Sequence, residues 1–448
     1  MKHNIAKITG KTIFLILALW LTGSDSLTAR TFFLATDGDD SATCRAGAEF
    51  RTLKRAVACL APGDTLIIRE GVFEGGVEIT VSGTEQALVL IQGESLKAVI
   101  SGSGDKIDAI RIQSSSYVTL DRLTVREAER AGAGVRHSNH VRITNCRFAD
   151  NGKWGIFTSF ADDIHFEGNE CYGSRREHGI YHSNSGDRFM IRNNLVHHNR
   201  GNGIHLNGDP EIPGGDGVLN QGVVEGNIIY GNGTGGGAAI NMTHVHDILV
   251  RNNLIYKNYA GGITVYQDTG TFEQGSKRVL IMGNTVYYEP GKGRSGVNVQ
   301  TTSEKVVIAG NIFVSGGRRG TIEVNSDHLS TIVSDCNILW GVGSDSLIER
   351  KDKLLSFEAW RKLSDNDHHS RYADPLFTDI DSGNFEPLPG SPAIDSGMSL
   401  DSLKSILDRL EGCQWLLARL GSLPDMDIRN SKRPEGAAPD AGAYEINE

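Results

Sequence analysis

One short phrase recurs along this chain and limits what the chain can become. A Gly is followed by Ile or Val and three variable residues. A Val/Ile-rich alternation comes next, and then an Asn ahead of another apolar pair. The clearest copies are His178-Gly179-Ile180-Tyr181-His182 and Asn202-Gly203-Ile204-His205-Leu206. Eight copies run from Gly134 to about Trp340, every 23 to 33 residues. A fixed period of that size marks a stacked array rather than one globular core. Asn169, Asn194, Asn227, Asn253, Asn284 and Asn311 track the period, Asn337 continues it, and Cys146 takes the place one unit earlier. The apolar runs between Gly, Asn and Asp turns are too short for helices and read as strands. Three short strands and three turns use roughly 20–25 residues, one rung of a parallel β-helix. The repeated Asn is then expected to hydrogen-bond from rung to rung. Leucine-rich repeats have a similar period, but their Leu spacing is absent.

Composition narrows the class. The 448 residues include 54 Gly and only 11 Pro, which suits many tight turns without disorder. A formal charge of −10 argues against a general nucleic-acid binder. Lys2, Lys7 and Lys11 precede an apolar run from Thr12 to Leu21 that is too short to span a membrane. With Leu27-Thr28-Ala29 as the cleavage site, residues 1–29 read as a signal peptide, leaving Arg30 at the start of a secreted or periplasmic protein with no transmembrane segment. Six Cys in an exported chain allow disulfides. Cys44 with Cys59 is the preferred pair, because the two flank one short helix. Cys146 and Cys171, on successive rungs, either bridge or are simply buried.

Residues 30–75 read as an N-terminal strand and helix cap, with helical spacing at Phe50, Leu53, Val57 and Leu60. Residues 76–340 carry the repeats, and 341–448 form a C-terminal cap with helices over Ser356–Leu363 and Leu400–Leu420. A cap covers the strand edges and core that a solenoid's open end exposes. Several stretches carry a family resemblance: Phe33-Leu34-Ala35-Thr36, Phe50-Arg51-Thr52-Leu53, Pro62-Gly63-Asp64-Thr65, Asp367-His368-His369-Ser370, Gly390-Ser391-Pro392-Ala393-Ile394-Asp395 and Pro439-Asp440-Ala441-Gly442-Ala443-Tyr444-Glu445. Together they resemble the right-handed parallel β-helix repeat family of pectate-lyase-like, secreted carbohydrate-active proteins. The resemblance covers nearly all of the mature chain. It implies an all-β, single-stranded right-handed parallel β-helix, and a superfamily that includes lyases, hydrolases, epimerases and proteins with no known activity.

Strand alternation sorts the phrase into faces. With the Ile or Val after Gly inward, Val135, Ile156, Ile180, Ile204, Ile240, Ile263, Val297 and Ile322 line the core. The next residues, among them Arg136, Phe157, Tyr181, His205 and Asn241, then point outward. So do those two further on, among them Ser183, Asn207 and Tyr266. Neighbours on such stripes stand about 4.8 Å apart, which makes a long polar trough suited to an extended polymer. Insertions at 208–216 and 267–275 leave the same edge of that sheet and are expected to wall the trough near its middle.

The candidate catalytic residues are His205, Tyr181, His178 and Arg176. Lys153, Arg136, Asn207, Asp209, Asn241 and Tyr266 are the candidates for substrate binding. In a uronate lyase a base removes the proton α to a carboxylate, a cation neutralises that carboxylate, and an acid protonates the leaving oxygen. His205 or His178 is the expected base, Tyr181 the acid, and Arg176 or Lys153 the neutraliser. His182 is expected inward as a satisfied core histidine. A hydrolase needs two carboxylates roughly 5–10 Å apart. Asp209 with Glu177 or Asp216 offers them, but no pair is expected to stand on adjacent outward strand positions, which weakens the hydrolase reading. Gly155-Ile156 and Arg175-Arg176-Glu177-His178-Gly179-Ile180 also resemble the catalytic region of alginate C5-epimerases and lyases. Where that family carries Asp-Pro-His-Asp, this chain has Phe157-Thr158-Ser159-Phe160.

No cofactor is assigned, and a role for Ca²⁺ is left open. Asp374, Asp379 and Asp381 offer oxygen ligands for Ca²⁺, but an ordinary solvated loop is the favoured reading. No catalytic metal is assigned. The expected partner is a polysaccharide, anionic in view of the Arg and Lys clustered between Arg136 and Arg200, and the expected state is a monomer. The favoured activity is lyase β-elimination on a uronate-containing chain. Glycoside hydrolysis and non-catalytic carbohydrate binding are the alternatives.

Overall fold

The computed structural model describes residues 29–446 apart from 103, 105, 106, 318, 343–345 and 424. The signal peptide reading falls almost wholly outside the described residues. Short strands stack into three long sheets of 13, 12 and 12 strands, each coil of the chain adding one strand to each sheet. The pairings are parallel except at the last pair of the third sheet, where Ser346–Arg350 meets Lys353–Ser356 antiparallel. Solenoid strands reach into both flanking segments, from Thr31–Leu34 to Arg371–Tyr372.

The Asn series forms the expected ladder. Asn194 donates its backbone N–H and its Nδ2–H to Asn227 Oδ1, both at 3.0 Å. The pattern repeats through Asn253, Asn284, Asn311 and Asn337. The residue before each rung's Asn has positive φ: Gly168, Asn193, Gly226, Asn252, Gly283 and Gly310 lie between 54° and 66°. Only Gly, or Asn with little strain, adopts that left-handed corner cheaply, which explains the recurring Gly-Asn and Asn-Asn pairs. A second ladder, Asn199–Asn232–Asn258, runs parallel to the first. Its members sit five residues after Asn194, Asn227 and Asn253, a spacing visible in the sequence.

Inside the coils the Ile stack is continuous, and Ile156, Ile180, Ile204, Ile240, Ile263, Val297 and Ile322 are fully buried. One register differs from expectation. Ala133, not Val135, pairs with Ile156, so Arg136 lies opposite Ser159 rather than Phe157. The strands Ala131–Asn139 and Trp154–Asp162 are both nine residues long, and Gly134-Val135 imitates the phrase that Gly132-Ala133 actually carries. A one-phrase slip of two residues keeps Arg136 outward while moving it along the trough.

The caps also refine the reading. Helix α1 is only Leu53–Val57, capped by the Thr52 side chain. Helix α2, Phe357–Ser364, starts where expected, with Ser356 as its cap. The helix expected over Leu400–Leu420 is two, α3 (Leu400–Arg409) and α4 (Gln414–Ser422). Gly412 at φ +88° turns the chain between them. Cys44 and Cys59 form the disulfide, whereas Cys146 and Cys171 stay free and buried. Asp367 is fully buried and accepts from Trp360 Nε1, Ser334 Oγ and Ser370 Oγ at 2.7, 2.9 and 2.6 Å. It therefore knots the cap to the last rung.

The C-terminal segment covers two of the three sheets. Leu403, Leu407, Leu416 and Leu420 pack on Val223, Leu249, Leu280 and Val307 of the first. Phe385, Ala393 and Ala441 pack on Leu254, Tyr287 and Ile312 of the second. The outer face of the third sheet receives neither layer, and it carries the polar stripes.

Candidate functional site

The third sheet sets its outward residues in one row. Phe157, Tyr181, His205, Asn241, Thr264, Asn298, Glu323 and Glu349 are successive register partners. Aromatic rings fill one end of the row. Trp154 stacks on Phe157 at 4.4 Å between centroids, Phe157 meets Tyr181 at 5.6 Å, and Tyr181 stacks on His205 at 4.9 Å. Lys153 Nζ lies 5.1 Å from the Trp154 ring centroid and the Arg136 guanidinium 5.1 Å from that of Phe157.

The centre of the site is two histidines with a fixed bond polarity. The backbone N–H of Asn202 donates to His178 Nδ1 at 3.0 Å. An amide N–H can only donate, so Nδ1 carries the lone pair. Burial depresses the His178 pKa to about 4, which keeps the ring neutral near pH 7 and places its one proton on Nε2. His178 Nε2 faces His205 Nδ1 at 3.2 Å. His205 Nδ1 is therefore the acceptor and His205 Nε2 the proton carrier. Burial, and then the neighbouring His178, hold the His205 pKa well below its ordinary value. His205 Nε2 is itself buried and has no protein partner among the described residues.

This polarity bears on the expected roles. In the neutral resting state neither His178 nor His205 offers a free ring lone pair for proton abstraction, and His205 offers a donor instead. Tyr181 Oη accepts from Asn207 Nδ2 at 3.2 Å, and burial pushes its pKa up to about 12, so it holds a transferable proton. Asp209 follows Asn207 on the first insertion and takes part in raising the Tyr181 pKa. Burial, then the carboxylates of Asp268 and Glu211, raise the Asp209 pKa. A carboxylate with enhanced proton affinity is a competent general base.

The other candidates divide. Asn241 Nδ2 donates to Tyr266 Oη at 3.3 Å, and with Asn298, Gln300, Arg294 and Arg319 these two line a cavity of about 300 Å³ further along the trough. Lys153 stays at the aromatic end, paired with Glu177 at 2.8 Å. Arg176 is turned to the two preceding rungs. Its Nη2 pairs with Glu129 at 2.9 Å and its Nε donates to the Gly152 carbonyl at 3.2 Å. The structure therefore does not assign it to the histidine cluster. His182 is buried, hydrogen-bonded to Thr158 Oγ1 at 2.6 Å and to the Gly186 carbonyl at 3.1 Å, as a core residue.

The insertions form one wall, joined where Gln274 Nε2 donates to the Asp216 carbonyl at 2.8 Å. Buried His244 pins the second insertion through Gln274 O at 2.9 Å and Asp268 Oδ1 at 2.8 Å, and His246 Nε2 holds Gly275 O at 2.9 Å. Asp379 accepts from the backbone N–H groups of Asp381 and Ser382, the bonding of an ordinary acidic turn.

Three features were missed in the sequence. Trp154, one residue before Gly155-Ile156, builds the platform. His244 is a loop anchor. Glu323 and Glu349 form an acidic pair on adjacent outward positions, where the sequence reading expected none. Glu349 escaped because the strand Ser346–Arg350 lies beyond the regular repeat. Glu323 is bound by Arg319 at 2.6 Å, Gln300 at 2.8 Å and Ser295 at 3.2 Å. Its pKa is raised by burial and then by Glu349. A larger concavity of about 1050 Å³ lies beside α1 at the far N-terminal end, away from these groups.

Comparison with known proteins gives three findings. Residues 89–236 match the family described as right handed beta helix region. The uncharacterized protein YwoF of Bacillus subtilis (strain 168) is 26% identical over 451 residues, spanning 81% of this chain and 91% of its own. Among solved structures, pectate lyase Pel9A superposes with a TM-score of 0.60 at 14% identity, covering 94% of this chain and 97% of its own. XylC in complex with xylose superposes at 0.57 with 11% identity, covering 93% and 98%.

Proposed function

We propose that the open face of the third sheet binds an anionic polysaccharide and cleaves it by β-elimination. The observation that carries the reading is the His178–His205–Tyr181 cluster, which leaves a buried donor without a partner at the foot of an aromatic platform. An unpaired buried donor costs about 1–3 kcal/mol, an expense that a ligand oxygen would offset. In this reading the sugar ring lies along Trp154, Phe157 and Tyr181. His205 Nε2–H and the Lys153 side chain meet its carboxylate and stabilise the charge that develops there. Asp209 removes the proton α to that carboxylate. The electron pair forms the new C=C bond as the C–O bond to the next sugar breaks, and Tyr181 protonates the departing oxygen. Pectate lyase Pel9A, alike in fold along nearly its whole length, supports the scaffold's capacity for this chemistry. The basic and apolar start of the sequence and the Cys44–Cys59 bridge support export and action on a polymer outside the cytoplasm.

Glu323 and Glu349 favour a second reading, glycoside hydrolysis further along the same trough. Adjacent parallel strands lie about 4.8 Å apart, close to the roughly 5–5.5 Å carboxyl separation of retaining enzymes. Product chemistry separates the two. Incubation with a panel of polyuronates is expected to give unsaturated ends that absorb in the ultraviolet, abolished in Tyr181→Phe and retained in Glu323→Gln. New reducing ends without absorbance, lost in Glu323→Gln, would establish hydrolysis instead. Retained binding without any product would leave a carbohydrate-binding protein.

A further inference from the structure

Far from the trough, three side chains of different chemistry converge where the last rung meets the C-terminal cap. Asp335 ends the strand Val333–Asp335 and Cys336 follows it, while His369 comes from the loop before Arg371–Tyr372. One ligand atom from each lies within 4.8 Å of the other two. We propose that Asp335, Cys336 and His369 form a zinc site that clamps the cap loop to the last rung.

The donor set selects the metal. One thiolate, one imidazole and one carboxylate suit a borderline ion such as Zn²⁺, whereas Ca²⁺ and Mg²⁺ take oxygen ligands. Its neighbours orient the carboxylate. Asp335 Oδ1 accepts the backbone N–H of Cys336 at 2.9 Å and that of His369 at 2.7 Å, leaving Oδ2 directed at the His369 ring, 2.6 Å from Nδ1. The two segments are also held in register independently of any metal. The Asp367 N–H donates to the Ser334 carbonyl at 2.7 Å, and the Asp367 carboxylate accepts from the Ser334 hydroxyl. A site on backbone fixed this way loses little entropy on binding. The His369 side chain is 77% exposed, so the ion has an entry path and a fourth position open to solvent. Binding is a ligand exchange without redox change. The Cys336 S–H proton leaves to solvent, an S–metal bond forms, and one or more metal-bound waters are released. Cys336 is free in this structure, and coordination would also shield it from oxidation in an exported protein.

Cobalt gives the test a signature that a merely structural cluster lacks. Full-length protein, reduced and stripped with a chelator, is titrated with Co²⁺ alone and then with Zn²⁺. The expected result is one Co²⁺ per chain with a thiolate-to-cobalt charge-transfer band in the near ultraviolet, displaced by Zn²⁺. The band is expected to vanish in Cys336→Ser, to weaken about tenfold or more in apparent affinity in His369→Ala, and to persist in Cys413→Ser. Zn²⁺, but not Ca²⁺, is expected to slow amide exchange across residues 366–371. No band in the folded wild-type protein, or a band undiminished in Cys336→Ser, overturns the proposal. His369 is exposed, so His369→Ala tests the site even if Cys336→Ser misfolds, and an unchanged Co²⁺ affinity in it also counts against the proposal.

Discussion

His178 Nε2 and His205 Nδ1 face each other at 3.2 Å, and the Asn202 amide on the far side of His178 decides which of them donates. A backbone N–H thus sets, through two rings, the tautomer of His205. In the proposed reaction His178 acts through His205 and is a positioning residue. Replacing it with Ala is expected to release that tautomer, lowering kcat about 10-fold to 100-fold with little change in KM. Replacing it with Gln, which can still accept and donate, should restore part of the loss. Steady-state kinetics on a polyuronate, with ¹⁵N spectra of the His205 ring, check both halves. An unchanged His205 tautomer in His178→Ala would refute the relay.

Acid should destabilise this protein through its buried histidines. Burial lowers the pKa of His178 to about 4, His182 to about 3 and His246 to about 4, against an ordinary 6.5. The native state holds them neutral while the unfolded chain takes up protons below pH 6.5. Stability from this source is therefore full above pH 6.5 and falls as the pH drops toward 4. His182→Gln is expected to flatten that dependence by about one proton between pH 6.5 and 4, read from denaturant midpoints across the range. An unaltered slope would show that His182 is already charged in the folded protein.

The Asn ladder is expected to hold the coils together more than any single apolar contact on the surface. Asn253 donates to the Val224 carbonyl and to Asn284 Oδ1, and accepts from Asn227. Asn253→Ala strands several buried groups at once and should cost about 2–4 kcal/mol in urea unfolding. Asn145→Ala, at an exposed turn residue of an earlier rung, should cost much less, apart from the strain of its positive φ.

The wall should govern affinity rather than chemistry. Asp268→Asn weakens the tie from His244 Nε2 to the second insertion, a 2.8 Å contact. KM for the polymer is expected to rise severalfold while kcat stays within about twofold. A large fall in kcat at unchanged KM would place Asp268 in the chemistry instead.

The solenoid was legible because its rule is local. A fixed period, a short apolar run and a left-handed corner before each Asn recur whatever the distant contacts are. The trough side of each strand followed from the same alternation, so Tyr181, His205, Asn207 and Asn241 were found together. Three things escaped. Gly132-Ala133 and Gly134-Val135 satisfy one phrase, and only pairing between strands chooses between them. Arg176 lies beside His178 in sequence but turns to Glu129, a choice made by a rung 47 residues away. The direction of the His178–His205 bond depends on Asn202 N–H, and backbone hydrogen bonds leave no mark in composition.

The central claim is that Tyr181 gives a proton to a leaving sugar oxygen in a β-elimination. The most direct measurement is the initial rate of ultraviolet absorbance on a polyuronate with wild-type protein and Tyr181→Phe, which keeps the ring stack on His205 and removes only the hydroxyl. The account predicts absorbance from the wild type and a fall of about a hundredfold or more in the variant, with polymer binding retained. Equal rates from the two proteins, or bond cleavage with no absorbance from either, would contradict it.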